Sequence, residues 1–159
     1  MLVRSNLSVQ KLAEYKSTHA SAYWFVYKQS DFTPIIYSVI YQPPGLTKDH
    51  KNNTTEHIIS TASKHLQSYP KAKFVITGDF NDLNTTQVST LLPLHHIVNF
   101  PTRGDAKLDL IYTDVDEYVT SGCLQLAAIL TNDHTALLKF PLHVALRQTT
   151  NVKLHELIE

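Results

Sequence analysis

The sequence predicts a mixed α/β (α+β) domain in which strands outnumber helices and two mainly antiparallel sheets pack together with helices outside. Three observations carry that expectation: two β-rich segments between Ala22 and Tyr41, one long helical stretch that stops at Pro70, and a series of short β-branched runs after Lys73 with short connections. A parallel doubly wound sheet would need regular alternation of strand and helix, which the second half of the chain lacks.

Ala22 to Lys28 mixes aromatic and β-branched residues (Tyr23, Trp24, Phe25, Val26, Tyr27), and the polar Gln29-Ser30-Asp31 follows, the pattern of a strand entering a hairpin. Ile35 to Tyr41 is almost continuously apolar, as a strand covered on both faces is, and Pro43-Pro44-Gly45 ends it. A helix is expected from Thr54 to Tyr69, because Asn53 and Glu56 have capping-box spacing and Ile58, Ile59, Ala62 and Leu66 share a face. Lys73 to Thr77 reads as a short strand running into Gly78-Asp79-Phe80-Asn81, which sets a carboxylate and an amide just past its C-terminal end, where α/β folds hold ligands. A shorter helix is expected at Thr86 to Leu92, and strands at His96 to Phe100, Leu108 to Thr113, Leu124 to Leu130 and Ala136 to Phe140. The tail from Pro141 to Glu159 carries only a short helical pattern, at Val152 to Ile158.

With 159 residues, 43% of them hydrophobic and 18% charged, the chain has the material for one globular core. Lys and Arg number 14, as do Asp and Glu, so no overall basic field draws in a polyanion and any nucleic-acid contact must come from local residues. Cys123 stands alone and can form no internal disulfide, and the first residues hold no apolar run of signal-peptide length. An intracellular compartment is expected, the nucleus if the substrate is chromosomal DNA. No apolar stretch approaches the ~18 residues of a membrane span, so no membrane partner is expected.

Three clusters carry chemistry: Gly78-Asp79-Phe80-Asn81, Lys107-Leu108-Asp109-Leu110 and Asn132-Asp133-His134, each at the edge of a predicted strand. Hydrolysis of a phosphodiester needs a carboxylate for a cation, a base to orient water, donors for the phosphoryl oxygens and a supported histidine. The clusters supply three carboxylates, an amide and a histidine. Taken singly each has a bland alternative: an Asx turn for Asp79 and Asn81, a strand-end residue for Asp109, a satisfied loop histidine for His134.

Thr77-Gly78-Asp79-Phe80-Asn81, Phe100-Pro101-Thr102-Arg103-Gly104, Leu108-Asp109-Leu110-Ile111-Tyr112-Thr113 and Asp133-His134 follow one another in an order that resembles the endonuclease/exonuclease/phosphatase superfamily. The Phe-Pro-Thr-Arg-Gly and Leu-Asp-Leu-Ile phrases are similar to its non-LTR retrotransposon branch, the LINE-type, AP-endonuclease-like nucleases. The resemblance covers roughly Val3 to Phe140 and implies a partial four-layer sandwich for residues 1–140, with 141–159 as a tail. It implies that Asp79 orients or deprotonates water, that Asn81 hydrogen-bonds the scissile phosphate, and that His134 contacts phosphoryl oxygens while Asp109 accepts its other ring N–H. Asp133 would help hold Mg²⁺ or Mn²⁺, and Tyr41, in Ile40-Tyr41-Gln42-Pro43-Pro44, would add a phosphate contact. Arg103 would meet a DNA phosphate, although a loop arginine is commonly just solvated.

The family also places an asparagine and a metal-binding glutamate before the equivalent of Val3, and these 159 residues contain neither, from which an N-terminally truncated domain is expected. Three readings follow: a Mg²⁺-dependent endonuclease that nicks DNA beside a reverse transcriptase in a parent polyprotein, an inactive remnant of that nuclease, or a phosphatase acting on a small phosphate ester. The remaining histidines, His57, His65, His95 and His96 among them, lack zinc-site spacing and are read as surface or packing residues. Trp24 is assigned to packing, and Lys48, His50 and Lys51 to a small basic loop near Tyr41.

Overall fold

The structure is a computed structural model that describes residues 8–17, 19–28 and 33–115, together with the backbone of 121–125 and 134–138. Its elements are β1 (Val9–Lys16), β2 (Ser21–Tyr27), β3 (Ile35–Tyr41), α1 (Lys48–Ser68), β4 (Lys73–Asp79), α2 (Thr86–Leu91), β5 (His95–His96), β6 (Asp109–Thr113), β7 (Ser121–Gln125) and β8 (His134–Leu138). Six strands form one sheet in the order β1-β2-β3-β4-β6-β5, and β7 pairs with β8. β3 and β4 run parallel, joined by α1 as a crossover, and every other pairing is antiparallel. The sheet is therefore mixed.

Register and burial divide the sheet into two faces. Trp24 is paired with Ser38, Ser38 with Ile76, and Ile76 with Tyr112, so these residues share a face. On that face Trp24, Val26, Ile36, Ile40, Phe74 and Ile76 are fully or nearly fully buried together with Ile58 and Ala62 of α1 and Val88 of α2. Burial of that many large apolar side chains, at roughly 1.5–3 kcal/mol each, is what docks α1 on the sheet. The opposite face carries a second cluster of Val75, Val98, Ile111 and Val115, with Ile35, Tyr37, Ile97 and Phe100 packed against it. Val39 and Tyr41, on the same face, remain 42% and 49% exposed.

Several expectations need correction. The long helix begins at Lys48, not Thr54, and the Thr47 hydroxyl caps it by accepting the His50 N–H. Asn53 and Glu56, the expected capping box, lie inside it, and Lys48, His50 and Lys51 are its first turn rather than a loop. It ends at Ser68, with Tyr69 as the C-cap immediately before Pro70, as the missing N–H of proline dictates. The strand expected over His96 to Phe100 shrinks to His95–His96, beyond which the Ile97 N–H still donates to the Ile111 carbonyl. β1 was not anticipated. Its register shifts between Lys11 and Ala13, which breaks the alternation by which a strand is recognised. β7 and β8 begin three and two residues before the expected Leu124 to Leu130 and Ala136 to Phe140 and overlap both, and residues 126–130 and 139–140 lie outside the described residues. The Gln29-Ser30-Asp31 turn and the tail 141–159 lie outside the described residues.

Candidate active site

The site is built at one end of the six-stranded sheet. Tyr41 is the last residue of β3, Asp79 the last of β4 and Asp109 the first of β6. Tyr41 is the register partner of Asp79, and Asp79 that of Asp109, so the three residues form a row across three adjacent strands on the face opposite α1. Parallel β3–β4 pairing makes the two C-terminal ends coincide, and the antiparallel β6 starts where they stop. Three segments remote in sequence thus contribute to one place.

Gly78 is what allows β4 to come this close. Its φ is +157°, and a Cβ there would stand 1.9 Å from the Ile40 carbonyl oxygen, an impossible contact with backbone. The chain then turns sharply at Asn81, which adopts a left-handed φ of 45°. Asparagine tolerates that region, and its amide locks the turn: Nδ2 donates to the Gln42 carbonyl at 2.8 Å, while the Asn81 N–H donates to Asp79 Oδ1 at 3.2 Å. The Gln42 N–H donates to the Asp79 carbonyl at 2.9 Å and the Phe80 N–H to the Leu108 carbonyl at 2.8 Å. Phe80 is fully buried in the core below. Alternate residues of the motif therefore serve opposite sides, Asp79 and Asn81 the site and Gly78 and Phe80 the packing.

Asp79 also meets a cation. Arg103 Nη2 stands 3.8 Å from Asp79 Oδ2, with the carboxylate side chain about a quarter exposed and the guanidinium about half. Arg103 lies in a tight turn in which its N–H donates to the Ala106 carbonyl and the Ala106 N–H donates back, with Gly104 at φ 55° supplying the left-handed step. Next to it Thr102 is 1% exposed, and its hydroxyl accepts the N–H of Leu108 at 2.9 Å and of Asp109 at 3.0 Å. Gln42 and Thr102 are the positions that sequence reasoning did not single out. Gln42 acts through its own backbone N–H and carbonyl and the Thr102 hydroxyl acts on backbone N–H groups, contacts that leave no periodic or compositional signal.

A second tie joins this end of the sheet to α1. Asp82 accepts from Lys51 Nζ at 2.7 Å and from the Gly45 N–H at 3.4 Å, and the Lys51 hydrogen bond is the main reason its carboxyl is held below the ordinary carboxylate range. His50 stacks on His19 with centroids 3.6 Å apart. Three of the histidines read as surface or packing residues make ring contacts: His57 stacks on Tyr15, the buried His65 lies against Trp24, and the exposed His96 lies against Tyr112. Burial pushes the imidazoles of His57, His65 and His96 below their usual value.

Tyr41, Asp79, Asn81, Arg103 and Asp109 thus come together at one sheet end. His134 is the first residue of β8, which runs beside β6. Asp133 lies outside the described residues. Among the described residues no three His, Cys, Asp or Glu side chains converge on a point that could hold a metal ion. Asp79 and Asp109 supply two carboxylates, which by themselves do not complete a divalent-cation site. No described helix is long and apolar enough to cross a membrane.

The architecture is similar to the human Nocturnin catalytic domain, solved with a bound sulfate anion, at a TM-score of 0.50 and 14% identity over 81% of this chain and 60% of that one. The chain therefore spans less than two thirds of that domain. An endonuclease/exonuclease/phosphatase family protein from Bacteroides thetaiotaomicron aligns at a TM-score of 0.37 and 12% identity, over 74% of this chain and 49% of the other. No protein-family model and no curated protein matches the sequence. The fold class is thus mixed α/β, like that of the Nocturnin catalytic domain. At this identity the likeness to Nocturnin is one of fold alone.

Proposed function

We propose that the chain forms the catalytic end of a phosphodiester hydrolase that nicks DNA. The single observation that carries this reading is the register row of Tyr41, Asp79 and Asp109, with Asn81 locked beside it by Gln42. Asp79 accepts the proton of, or orients, the attacking water, with the Arg103 guanidinium and the Asn81 N–H beside its carboxylate. Asn81 spends one amide hydrogen on Gln42 and has a second to donate to a phosphoryl oxygen as charge builds there. The Tyr41 hydroxyl and the Arg103 guanidinium add donors for the remaining oxygens. His134 completes the phosphoryl contacts and Asp109 orients its ring. The Nocturnin catalytic domain was solved with a bound sulfate anion, a tetrahedral dianion like a phosphoryl group, which is in keeping with an oxyanion ligand for this fold.

The resemblance implies Mg²⁺ or Mn²⁺, which Asp133 would help to hold and which would supply neutralisation of phosphoryl charge. The described side chains do not complete such a site, so each role above belongs to the chain's own residues. We further assign the six-stranded sheet and the β7–β8 pair to the two sheets of a four-layer sandwich, and the motif phrases from Phe100 to Thr113 to the retrotransposon branch, whose parent polyprotein carries a reverse transcriptase. The equal numbers of acidic and basic residues favour, as a second reading, a small phosphate ester in place of DNA.

Nicking of supercoiled plasmid by the purified chain with Mg²⁺ or Mn²⁺, beside Asp79→Ala, tests the reading. Metal-dependent nicking that is lost in Asp79→Ala is the expected result. A folded chain that leaves the plasmid intact but hydrolyses p-nitrophenyl phosphate would replace it with the second reading, and a folded chain inert on both would identify a remnant.

A further inference from the structure

We propose that Thr102 is a positioning residue, whose buried hydroxyl sets Arg103 and Asp109 in place against Asp79. The proposal rests on the reading of Asp79 and Asp109 as parts of a hydrolytic site. Asp109 opens β6 opposite Asp79, and two carboxylates placed across an antiparallel pair repel each other. Something must hold the start of β6 in register against that repulsion. Just beyond the β4–β6 pairing, which ends at Asp79 and Asp109, the Phe80 N–H donates to the Leu108 carbonyl. The Leu108 and Asp109 N–H groups are both accepted by Thr102 Oγ1, at 2.9 and 3.0 Å.

The same residue controls the arginine. The Thr102 N–H donates to the Ala106 carbonyl at 2.8 Å, closing the turn whose next residue is Arg103. The hydroxyl end of Thr102 therefore fixes one carboxylate and its backbone end fixes the guanidinium that approaches the other. Thr102 is 1% exposed, so its hydroxyl is an acceptor held inside the fold, and removing it deprives two part-buried N–H groups of their partner. One buried side chain thus spans both halves of the site without touching the reacting atoms. Serine preserves the hydroxyl, whereas valine has the shape of threonine with a methyl in its place, so the two substitutions separate hydrogen bonding from packing.

The test compares wild type, Thr102→Ser and Thr102→Val by amide hydrogen exchange and by plasmid-nicking kinetics. Thr102→Val is expected to speed exchange of the Leu108 and Asp109 amides by about 10-fold or more. It is also expected to lower kcat by roughly 10- to 100-fold with a much smaller change in KM, the pattern of misplaced catalytic groups rather than weakened ground-state binding. Thr102→Ser should restore both properties. Unchanged exchange at the two amides in Thr102→Val would overturn the proposal, as would equal loss of kcat in the serine and valine variants, which would mark a packing role. A wild-type chain without nicking would sink the hydrolase reading instead, and the exchange data alone would then decide whether Thr102 secures the start of β6.

Discussion

Asp79 and Asp109 face each other across β4 and β6 as direct register partners, two carboxylates at adjoining strand ends with Arg103 beside the first. Like charges opposite one another across an antiparallel pair destabilise it by roughly 0.2–1 kcal/mol, and a half-exposed ion pair returns a similar amount. Asp79→Asn gives up the second while relieving the first. Its stability is therefore expected to stay within about 1 kcal/mol of wild type by urea denaturation, while nicking falls by about 100-fold or more under the role proposed for Asp79. A large loss of stability would mean that Asp79 is retained for folding.

Gly78→Ala should behave in the opposite manner. A Cβ at that position overlaps the Ile40 carbonyl, a backbone group in the last pair but one of the β3–β4 ladder that cannot rotate away. The expected cost is about 3 kcal/mol or more, visible as a large drop in the urea midpoint or as failure to fold. A variant with wild-type stability would show that β3 and β4 are spaced more widely than described here.

Stability should fall on mild acidification. The imidazoles of His57, His65 and His96 are pushed below the usual value of 6.5, chiefly by burial. The unfolded chain then binds protons that the folded one resists, so their contribution is fully present above pH ~6.5 and is lost as the pH falls below it. Urea midpoints compared at about pH 7.5 and about pH 5 should be lower at the acid end, a range above that in which Asp82 titrates. His65→Leu should flatten the dependence, since His65 is buried against Trp24. A midpoint that rises on acidification would contradict the assignment of these rings as packing groups.

Thr47→Ala should destabilise the fold by about 1 kcal/mol, through loss of the acceptor for the His50 N–H at the start of α1. The bond is long at 3.4 Å, which points to the lower half of the range for such caps. Asn53→Ala, at the position that the sequence pattern marks as the cap, should cost much less. The two variants measured side by side by thermal melts decide which residue opens the helix.

How much of this was legible in the sequence depended on whether the signal lay in side chains or in backbone. β3 was recognised at its true bounds because Ile35 to Tyr41 is apolar on both faces. β4 extends two residues past the expected Thr77, since Gly78 and Asp79 go on pairing with β6, and no local propensity announces a strand that long-range partners prolong. The first turns of α1 escaped notice because its buried face there is made of Thr54 and Thr55. Their hydroxyls donate to the His50 and Lys51 carbonyls, so they occupy core positions while looking polar. The order of motifs led to Asp79, Asn81 and Asp109, and the fold sets Tyr41 and Arg103 beside them. The shared dependence of both halves on Thr102 appears only once hydrogen bonds are traced through space.

The alternation within Gly78-Asp79-Phe80-Asn81 bears on how such a short signature persists. Two of its letters answer to the interior and two to the site, so relaxed selection on catalysis would act on only half of them. In descendants freed from hydrolysis the glycine and the phenylalanine should endure while the aspartate and asparagine drift. The pattern of decay at these four positions would then record whether a lineage lost its chemistry or its fold first.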